Sequence, residues 1–313
     1  MTLFRTSRPI RNRFFAVSMA EKKHKAGFVN IIGYPNVGKS TLMNQLVGEK
    51  LSIITPKAQT TRHRILGIVN EEDVQIVFSD TPGILKPSYK MQEGMMKFVY
   101  SALEDADLIL LMIECGQRKI EDEKLMGFLQ QERCPVWVLL NKIDLKSQEE
   151  LEQEVSHWAT QFPQAEILPI AALHKFNVEP LVEKIKSILP ENPPFYPKDS
   201  LTDKSERFFV EEKIREHILT HYKQEIPYSV EVMVESFKVE EEIIRIHANI
   251  FVARDSQKHI LIGKQGHMLK KVGSKARQDL EKFFDSKIFL SLHVKVKKDW
   301  RDDQEQLKRF GYL

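Results

Sequence analysis

One glycine-containing loop constrains the fold of this chain more than any other feature, because of what precedes and follows it. The apolar run FVNII lies at 28–32, the loop GYPNVGKS at 33–40, and a helical pattern at 39–48. The loop fits G-x-x-x-x-G-K-S, the P-loop pattern, in which glycines let backbone N–H groups approach a phosphate and the helix N-terminus adds its dipole. The sequence therefore predicts a phosphate-binding loop between a strand and a helix.

Further apolar runs alternate with helical patterns after this loop. They are short, rich in leucine or β-branched residues, and mostly not alternating, as expected for strands that are covered on both faces. This order predicts an α/β domain with a mainly parallel sheet and helices on both faces. The predicted strands are 28–32, 74–79, 108–113, 136–140 and 165–170, and the predicted helices are 39–48, 121–132, 148–160 and 178–189.

A proline-rich stretch, PENPPFYPKDS at 190–200, divides the chain. Its four prolines exclude a helix and stiffen the backbone. We therefore predict a nucleotide domain at 26–189, a linker at 190–200 and a smaller α+β domain at 201–313. In the smaller domain, predicted helices at 204–222, 256–262 and 267–284 are interleaved with predicted strands at 228–237, 243–253 and 288–296.

Residues 1–25 are treated as an N-terminal extension that is disordered or not native. Residues 1–19 contain four arginines and no acidic residue. Two interpretations remain open: an organelle transit peptide, or a stretch upstream of a true start at Met19, which we prefer. We expect a cytoplasmic monomer, with organelle import only if the transit peptide is genuine. No apolar run reaches the roughly 18 residues of a membrane helix, so only a peripheral contact with a membrane stays open.

The motif NKID at 141–144 identifies the nucleotide, because it directly follows the apolar run VWVLL. Guanine presents two adjacent N–H donors that one carboxylate can accept, whereas adenine has a lone pair there that a carboxylate repels. Asp144 is therefore the predicted guanine selector. Asn141 would hold the other edge of the base and support the loop, and Lys142 would lay its stem against the ring. The predicted ligands are GTP and GDP.

The motif DTPG at 80–83 follows another apolar run and supplies groups for the phosphates and magnesium. Asp80 would hold a magnesium-bound water, and the Gly83 N–H would contact the γ-phosphate. Lys39 would reach the β- and γ-phosphates, and Ser40 would offer its hydroxyl to magnesium.

The segment EKLSIITPKAQTTRHR at 49–64 is predicted to be a loop that completes the magnesium site. Of its adjacent threonines, Thr60 and Thr61, we prefer Thr61 as the second protein ligand of the metal. The predicted metal ligands are thus Ser40 and Thr61, and the predicted catalytic residues are Lys39, Thr61, Asp80 and Gly83.

A second glycine loop, GKQG at 263–266, lies between two helical patterns in the smaller domain. It fits the KH-type G-x-x-G, whose glycines permit close approach of a sugar-phosphate backbone, although a tight turn is the alternative. Residues 258–298 also carry eleven Lys or Arg against three acidic residues, which favours a polyanion. Single-stranded RNA is the expected ligand, with contacts from Ile262, Gly263, Lys264, Gln265, Gly266, Lys270 and Lys271.

Taken in order, these motifs resemble those of the translation-factor-related GTPases. The stretches KAQTTRHRILG, DTPGIL and the terminal DWRDDQEQLKRFGYL are similar to the Era GTPases, from about residue 26 to the end. This resemblance implies a P-loop GTPase domain joined to a type II KH domain. It further implies binding to the 3′ end of small-subunit ribosomal RNA and a role in assembly of the small ribosomal subunit.

The resemblance also extends the predicted nucleotide site. Ala171 and Ala172 stand where the family has Ser-Ala, so the main-chain contact to guanine is kept and a hydroxyl is lost. The predicted nucleotide contacts are Gly33, Tyr34, Pro35, Asn36, Val37, Gly38, Lys39, Ser40, Thr41, Asp80, Thr81, Pro82, Gly83, Asn141, Lys142, Asp144, Ala171 and Ala172.

Two features of the predicted site bear on the rate of hydrolysis. Ile84 stands where many small GTPases have a water-orienting glutamine, and no arginine finger is identifiable, so the predicted intrinsic rate is slow. Asn36 matches the P-loop asparagine that helps to bind an activating potassium ion in related GTPases, although it is also a common turn residue. The leading hypothesis is a GTP-driven RNA-binding switch; a non-hydrolysing RNA-binding scaffold and an ATP-using phosphotransferase are the alternatives.

Overall fold

Two β-sheets organise the chain, one in each domain. The computed structural model describes residues 23–131 and 133–313, so the interpretations of residues 1–22 lie outside the described residues. The first sheet has six strands in the order β2-β3-β1-β4-β5-β6, and the second has three in the order β7-β8-β9. Each sheet is covered by its own helices, and the loops that meet between them include the segment 49–64.

The first domain is a mainly parallel α/β domain, as predicted. Only β2 runs antiparallel, pairing with β3 at one edge of the sheet. This strand, which follows the loop 49–64 directly, was not identified from the sequence. The elements are β1 Lys25–Gly33, α1 Lys39–Val47, β2 Ile65–Asn70, β3 Val74–Asp80, α2 Lys90–Glu104, β4 Leu108–Glu114, α3 Glu123–Leu129, β5 Val136–Asn141, α4 Gln148–Gln161, β6 Glu166–Pro169 and α5 Val178–Ile188.

Alternate residues of the central strands enter two separate cores. In β4, Leu108, Leu110 and Met112 face the core formed with α1 and α5. Ile109 and Leu111 face the opposite core, formed with α2, α3 and α4. A strand that is buried on both faces has no polar side to reveal its period, which explains the unbroken apolar runs in the sequence.

Apart from the short helices Ile226–Ser229 and Gln304–Arg309, the second domain has the element order α-β-β-α-α-β of a type II KH domain. Strand β7 pairs antiparallel with β8, and β8 pairs parallel with β9. Helices α6 and α9 pack on the sheet over a core that includes Ile214, Ile246 and Leu280. The elements are α6 Glu206–His221, α7 Ile226–Ser229, β7 Val230–Val239, β8 Ile244–Val252, α8 Asp255–Ile262, α9 His267–Phe284, β9 Ile288–Val296 and α10 Gln304–Arg309.

The proline-rich segment 190–200 is bonded to the first domain along much of its length. The Ala26 N–H donates to the Pro190 carbonyl at 3.2 Å. The N–H groups of Phe195 and Tyr196 both donate to the buried Gln75 Oε1, at 2.7 and 3.0 Å. These bonds determine where the chain enters the second domain.

The segment 49–64 forms the main polar contact between the domains through Arg62. Its guanidinium, 1% exposed, donates to the Val230 carbonyl at 2.7 Å and the Pro227 carbonyl at 3.1 Å, and pairs with Glu231 at 3.1 Å. The Tyr312 hydroxyl donates to the same Glu231 carboxylate at 2.7 Å. A buried charge needs a partner and hydrogen bonds, and here the second domain provides both.

Helix α2 also contacts the second domain, through the C-terminal residues of the chain. Met91 and Met95 lie fully buried against Trp300 and Tyr312. A Cβ on Gly94 would lie 2.7 Å from the Tyr312 carbonyl oxygen, so the glycine permits this close packing. Both segments that follow the phosphate-binding motifs are therefore attached to the second domain.

Candidate nucleotide-binding site

The P-loop and the NKID motif open into the same cavity, whose volume is about 730 Å³. The cavity lies at the carboxyl ends of the parallel strands, where open α/β sheets bind ligands. Of the residues predicted to contact the nucleotide or metal, those that line it are Pro35, Asn36, Gly38, Lys39, Ser40, Thr41, Thr61, Gly83, Asn141, Lys142 and Asp144. Gly33, Tyr34, Val37, Asp80, Thr81, Pro82, Ala171 and Ala172 are not among the residues that line it.

Asn141 of the NKID motif is hydrogen-bonded to the P-loop and to Ala172 at the back of the cavity. Its amide nitrogen donates to the Val37 carbonyl at 2.7 Å, and its amide oxygen accepts from the Ala172 N–H at 2.9 Å. Gly38 makes this contact possible, because a Cβ there would lie 2.3 Å from the Asn141 amide nitrogen. Gly38 also has φ of 107°, which side-chain-bearing residues rarely adopt. The supporting role predicted for Asn141 is therefore visible as two hydrogen bonds within the protein.

Lys39 lies at the start of α1, 5% exposed, where its ammonium donates to the Gly33 carbonyl at 3.0 Å and the Tyr34 carbonyl at 2.8 Å. Burial lowers the pKa of Lys39 to about 8, against the opposing effect of Asp80. The first turn of α1 also has N–H groups without a partner within the helix, and these add positive potential at the helix N-terminus. The position suits a phosphate group.

Ser40 and Thr61, the predicted metal ligands, lie together with Asp80, which is predicted to hold a magnesium-bound water; we call these three residues the metal-binding group. The Ser40 hydroxyl donates to Asp80 Oδ2 at 2.7 Å, and the Ser40 and Thr61 hydroxyl oxygens are 2.9 Å apart. Asp80 is fully buried, which raises its pKa, and its Oδ1 is buried without a hydrogen-bond partner among the described residues. Two hydroxyls and a carboxylate with a spare oxygen are the oxygen ligands that Mg²⁺ prefers, so the residues fit this ion.

The DTPG motif lies against the P-loop. A Cβ on Gly83 would lie 2.7 Å from the Pro35 backbone nitrogen, so a glycine is needed for the approach. The Ile84 N–H donates to the Gly33 carbonyl at 3.1 Å, and the Ile84 side chain is buried. An apolar side chain that faces the core cannot orient a water molecule, which agrees with the slow hydrolysis predicted from the sequence.

The base side of the cavity contains features that the sequence analysis missed. Leu145 and Leu173 line it although their side chains are 70% and 71% exposed, an arrangement that leaves two apolar surfaces for a planar ring. His174 Nε2 lies 3.5 Å from the Asp144 carboxylate. Lys142 pairs with Glu114 at 2.8 Å. The leucines are isolated on loops, and no periodicity marks them in the sequence.

The GKQG loop lies far from this cavity along the chain, between α8 and α9. Gly263 has φ of 72°, and a Cβ there would lie 2.8 Å from Met268 Cγ, so glycine is required on both counts. The side chains of Lys264 and Gln265 are exposed, as are those of Lys270 and Lys271 in the first turns of α9. Three exposed lysines therefore lie in this loop and in the first turns of α9, whereas Ile262, Gly263 and Gly266 are half-buried.

Titration of Lys39 predicts how GTP affinity depends on pH. The free protein keeps the Lys39 proton only below about pH 8, whereas phosphate charge keeps it in the complex. Binding above pH 8 must therefore take up a proton, and we expect affinity to fall by up to about tenfold per pH unit. Equilibrium titrations with a fluorescent GTP analogue between pH 7 and pH 9 measure this. Lys39→Arg is the control, since its guanidinium stays charged. Equal pH profiles for the two proteins would contradict the prediction.

Two family models match the chain: "50S ribosome-binding GTPase" over residues 28–142 and "KH domain" over residues 225–301. GTPase Era of Geotalea daltonii is 43% identical over 296 residues, which cover 94% of this chain and 100% of that protein. GTPase Era of Clostridium kluyveri is 45% identical over 293 residues, which cover 92% and 99%.

Solved structures match over the same extent. A crystal structure of Era in complex with MgGDPNP and nucleotides 1506–1542 of 16S ribosomal RNA has a TM-score of 0.88 at 39% identity, covering 92% of this chain and 99% of that chain. A variant of Aquifex aeolicus Era bound to GDP and AlF4⁻ matches with the same TM-score, identity and coverage. The likeness therefore includes both domains.

Proposed function

This chain belongs to the Era family of GTPases, and from that premise we propose that it is a GTP-controlled RNA-binding switch. Its RNA ligand in this proposal is the 3′ end of small-subunit ribosomal RNA, and its role is to assist assembly of the small ribosomal subunit. The Era complex with MgGDPNP and nucleotides 1506–1542 of 16S ribosomal RNA supports this ligand.

The proposal of a switch rests on the position of Thr61 next to Arg62. Thr61 lies within hydrogen-bond distance of Ser40 in the metal-binding group, while the adjacent Arg62 is buried against Glu231 of the second domain. These two adjacent side chains therefore contact different domains. A γ-phosphate and its metal ion that hold Thr61 would therefore also hold the anchor of the RNA-binding domain.

In this proposal the reaction is hydrolysis of GTP to GDP and phosphate by an aligned water molecule. Lys39 binds the β- and γ-phosphates, Asp144 selects guanine, and the Gly83 N–H contacts the γ-phosphate. Ser40 and Thr61, with Asp80 behind them, would hold Mg²⁺, which neutralises phosphate charge when bound. Magnesium and GDPNP or GDP are bound by the Era proteins of known structure, which supports these assignments.

We propose that the slow intrinsic rate is raised by a bound potassium ion. No arginine is among the described residues that line the nucleotide cavity. Asn36 is the candidate potassium ligand: it lies at the rim in a left-handed conformation, φ 65°, and its amide nitrogen donates to the Pro56 carbonyl at 3.0 Å. We expect faster phosphate release in KCl than in NaCl, and loss of that difference in Asn36→Ala. Equal rates in the two salts would exclude a potassium site.

RNA binding is assigned to the GKQG loop and the basic start of α9. The contacts proposed are Ile262, Gly263, Lys264, Gln265, Gly266, Lys270 and Lys271, since exposed lysines at a helix N-terminus suit phosphates. We also propose a cytoplasmic monomer, with peripheral contact with the inner membrane as the alternative location. No helix among the described residues is long and apolar enough to cross a membrane.

Two measurements test this function. Phosphate release is compared with and without small ribosomal subunits, and bound RNA is identified by crosslinking and sequencing with and without GTP. We expect release to be stimulated by the subunits and crosslinks to cluster at the 3′ end of the small-subunit RNA. The double variant Lys264→Asp, Gln265→Asp should lose those crosslinks, whereas Lys282→Asp at the far end of α9 should keep them. The absence of phosphate release under every condition would favour the non-hydrolysing scaffold instead.

A further inference from the structure

Three buried or half-buried contacts connect the rim of the nucleotide cavity to the GKQG loop. We propose that Lys57 and Tyr222 are positioning residues that transmit the nucleotide state to the RNA-binding loop through the Leu261 carbonyl. We call Lys57, Tyr222 and Leu261 the relay. This inference rests on the proposed function and names the route by which its two sites are coupled.

The first end of the relay belongs to the nucleotide cavity. Lys57 lines the cavity in the segment 49–64. On one side of it, the Pro56 carbonyl accepts from the P-loop residue Asn36 at 3.0 Å. On the other side, the Thr60 hydroxyl donates to the Lys57 carbonyl at 2.6 Å. A change in the nucleotide that moves this segment therefore moves Lys57 as well.

The Lys57 side chain contacts the C-terminus of helix α6. The ammonium donates to the Leu219 carbonyl and, at 2.5 Å, to the Tyr222 carbonyl. The last carbonyls of a helix have no partner within it and carry the negative end of the helix dipole. The Lys57 ammonium thus donates to two carbonyl groups that need a donor.

Tyr222 connects the end of α6 to α8 by a hydrogen bond. Its side chain is 4% exposed, and its hydroxyl donates to the Leu261 carbonyl at 2.5 Å. Burial raises the pKa of Tyr222 to about 12, so the hydroxyl keeps its proton and remains a donor at neutral pH. Leu261 lies in the last turn of α8, two residues before Gly263, which begins the GKQG loop.

In this proposal, a displacement of the Lys57 ammonium consequently shifts the Leu261 carbonyl, which precedes the RNA-binding loop. Each link is a hydrogen bond between groups that are at least half-buried, where loss of a partner is costly. The same helix offers a comparison, because Lys50 pairs with Glu216 of α6 at 2.7 Å. That lysine is 53% exposed, and the other ion pair of Glu216 is with Lys213 of the same helix.

The test compares RNA affinity in two nucleotide states. The probe is a fluorescent single-stranded oligoribonucleotide with the sequence of the 3′ end of 16S ribosomal RNA, titrated into the full-length protein with GDP or with a non-hydrolysable GTP analogue. We expect the two dissociation constants of the unsubstituted protein to differ by about fivefold or more. Tyr222→Phe and Lys57→Met should each reduce this ratio below about twofold, and the double variant should reduce it no further.

Matched controls separate the relay from general damage. Lys50→Met removes a lysine that contacts the same helix and should keep the full ratio. Tyr222→Phe removes one oxygen atom and should keep its GTP affinity, and Lys57→Met tests the relay from its other end if Tyr222→Phe is unstable. The relay is wrong if both variants keep the ratio of the unsubstituted protein. If the unsubstituted protein itself binds RNA equally in both states, nucleotide control is refuted, and the relay with it.

Discussion

Replacing Asp144 with asparagine is expected to change the nucleotide preference from guanine to xanthine. In the proposed site the carboxylate accepts two adjacent N–H groups of guanine, whereas an asparagine amide would donate to the carbonyl that xanthine has in place of the guanine amino group. A site built for paired donors rejects an analogue that lacks them by roughly 10⁴-fold, so the ratio of GTP to XTP affinity should change by about this factor. Fluorescent-nucleotide competition with GTP and XTP measures the ratio directly.

A second acidic residue of the same cavity provides the control for Asp144→Asn. Glu114 lines the cavity and pairs at 2.8 Å with Lys142, whose stem is predicted to lie against the base. Glu114→Gln removes a negative charge from the cavity without altering the selector, so its preference for GTP should be retained. An Asp144→Asn protein that still prefers GTP would show that another residue reads the base.

Replacing Gly38 with alanine is expected to abolish tight nucleotide binding. The new Cβ would lie 2.3 Å from the Asn141 amide nitrogen, and the residue would have to keep φ at 107°. The left-handed backbone costs roughly 1–2 kcal/mol. Displacing Asn141 from Val37 and Ala172 costs about 1–3 kcal/mol for each group left without a partner. The groups left without partners predict a loss of GTP affinity of roughly 30-fold or more, measured by calorimetry, and the backbone cost predicts a lower Tm of the nucleotide-free protein.

Gly48, at the end of α1, separates the two causes of this loss. It has φ of 80°, but a Cβ there would meet nothing within 4 Å. Gly48→Ala should therefore show the backbone cost alone, as a lower Tm with GTP affinity nearly unchanged. If Gly38→Ala behaved like Gly48→Ala, the contact between Gly38 and Asn141 would not be what maintains the site.

The structure brings together the predicted nucleotide motifs that directly follow a buried strand. Parallel strands end at one edge of a sheet, so the P-loop after β1, Asp80 at the end of β3 and Asn141 at the end of β5 had to meet there. The same reasoning did not find Leu145 and Leu173, because a single apolar residue on a loop has no period. It also missed β2, which continues directly from the loop 49–64.

The sequence by itself determined the two kinds of domain and the identity of the nucleotide, because short motifs carry that chemistry and apolar periodicity carries the strands around them. Only the tertiary structure decided how the domains are joined. Arg62 pairs with Glu231, which is 169 residues away along the chain. Lys57 donates to the Tyr222 carbonyl at the end of α6, which is 165 residues away. Such contacts depend on how two separately folded cores are placed against each other, and no local pattern of residues records that placement.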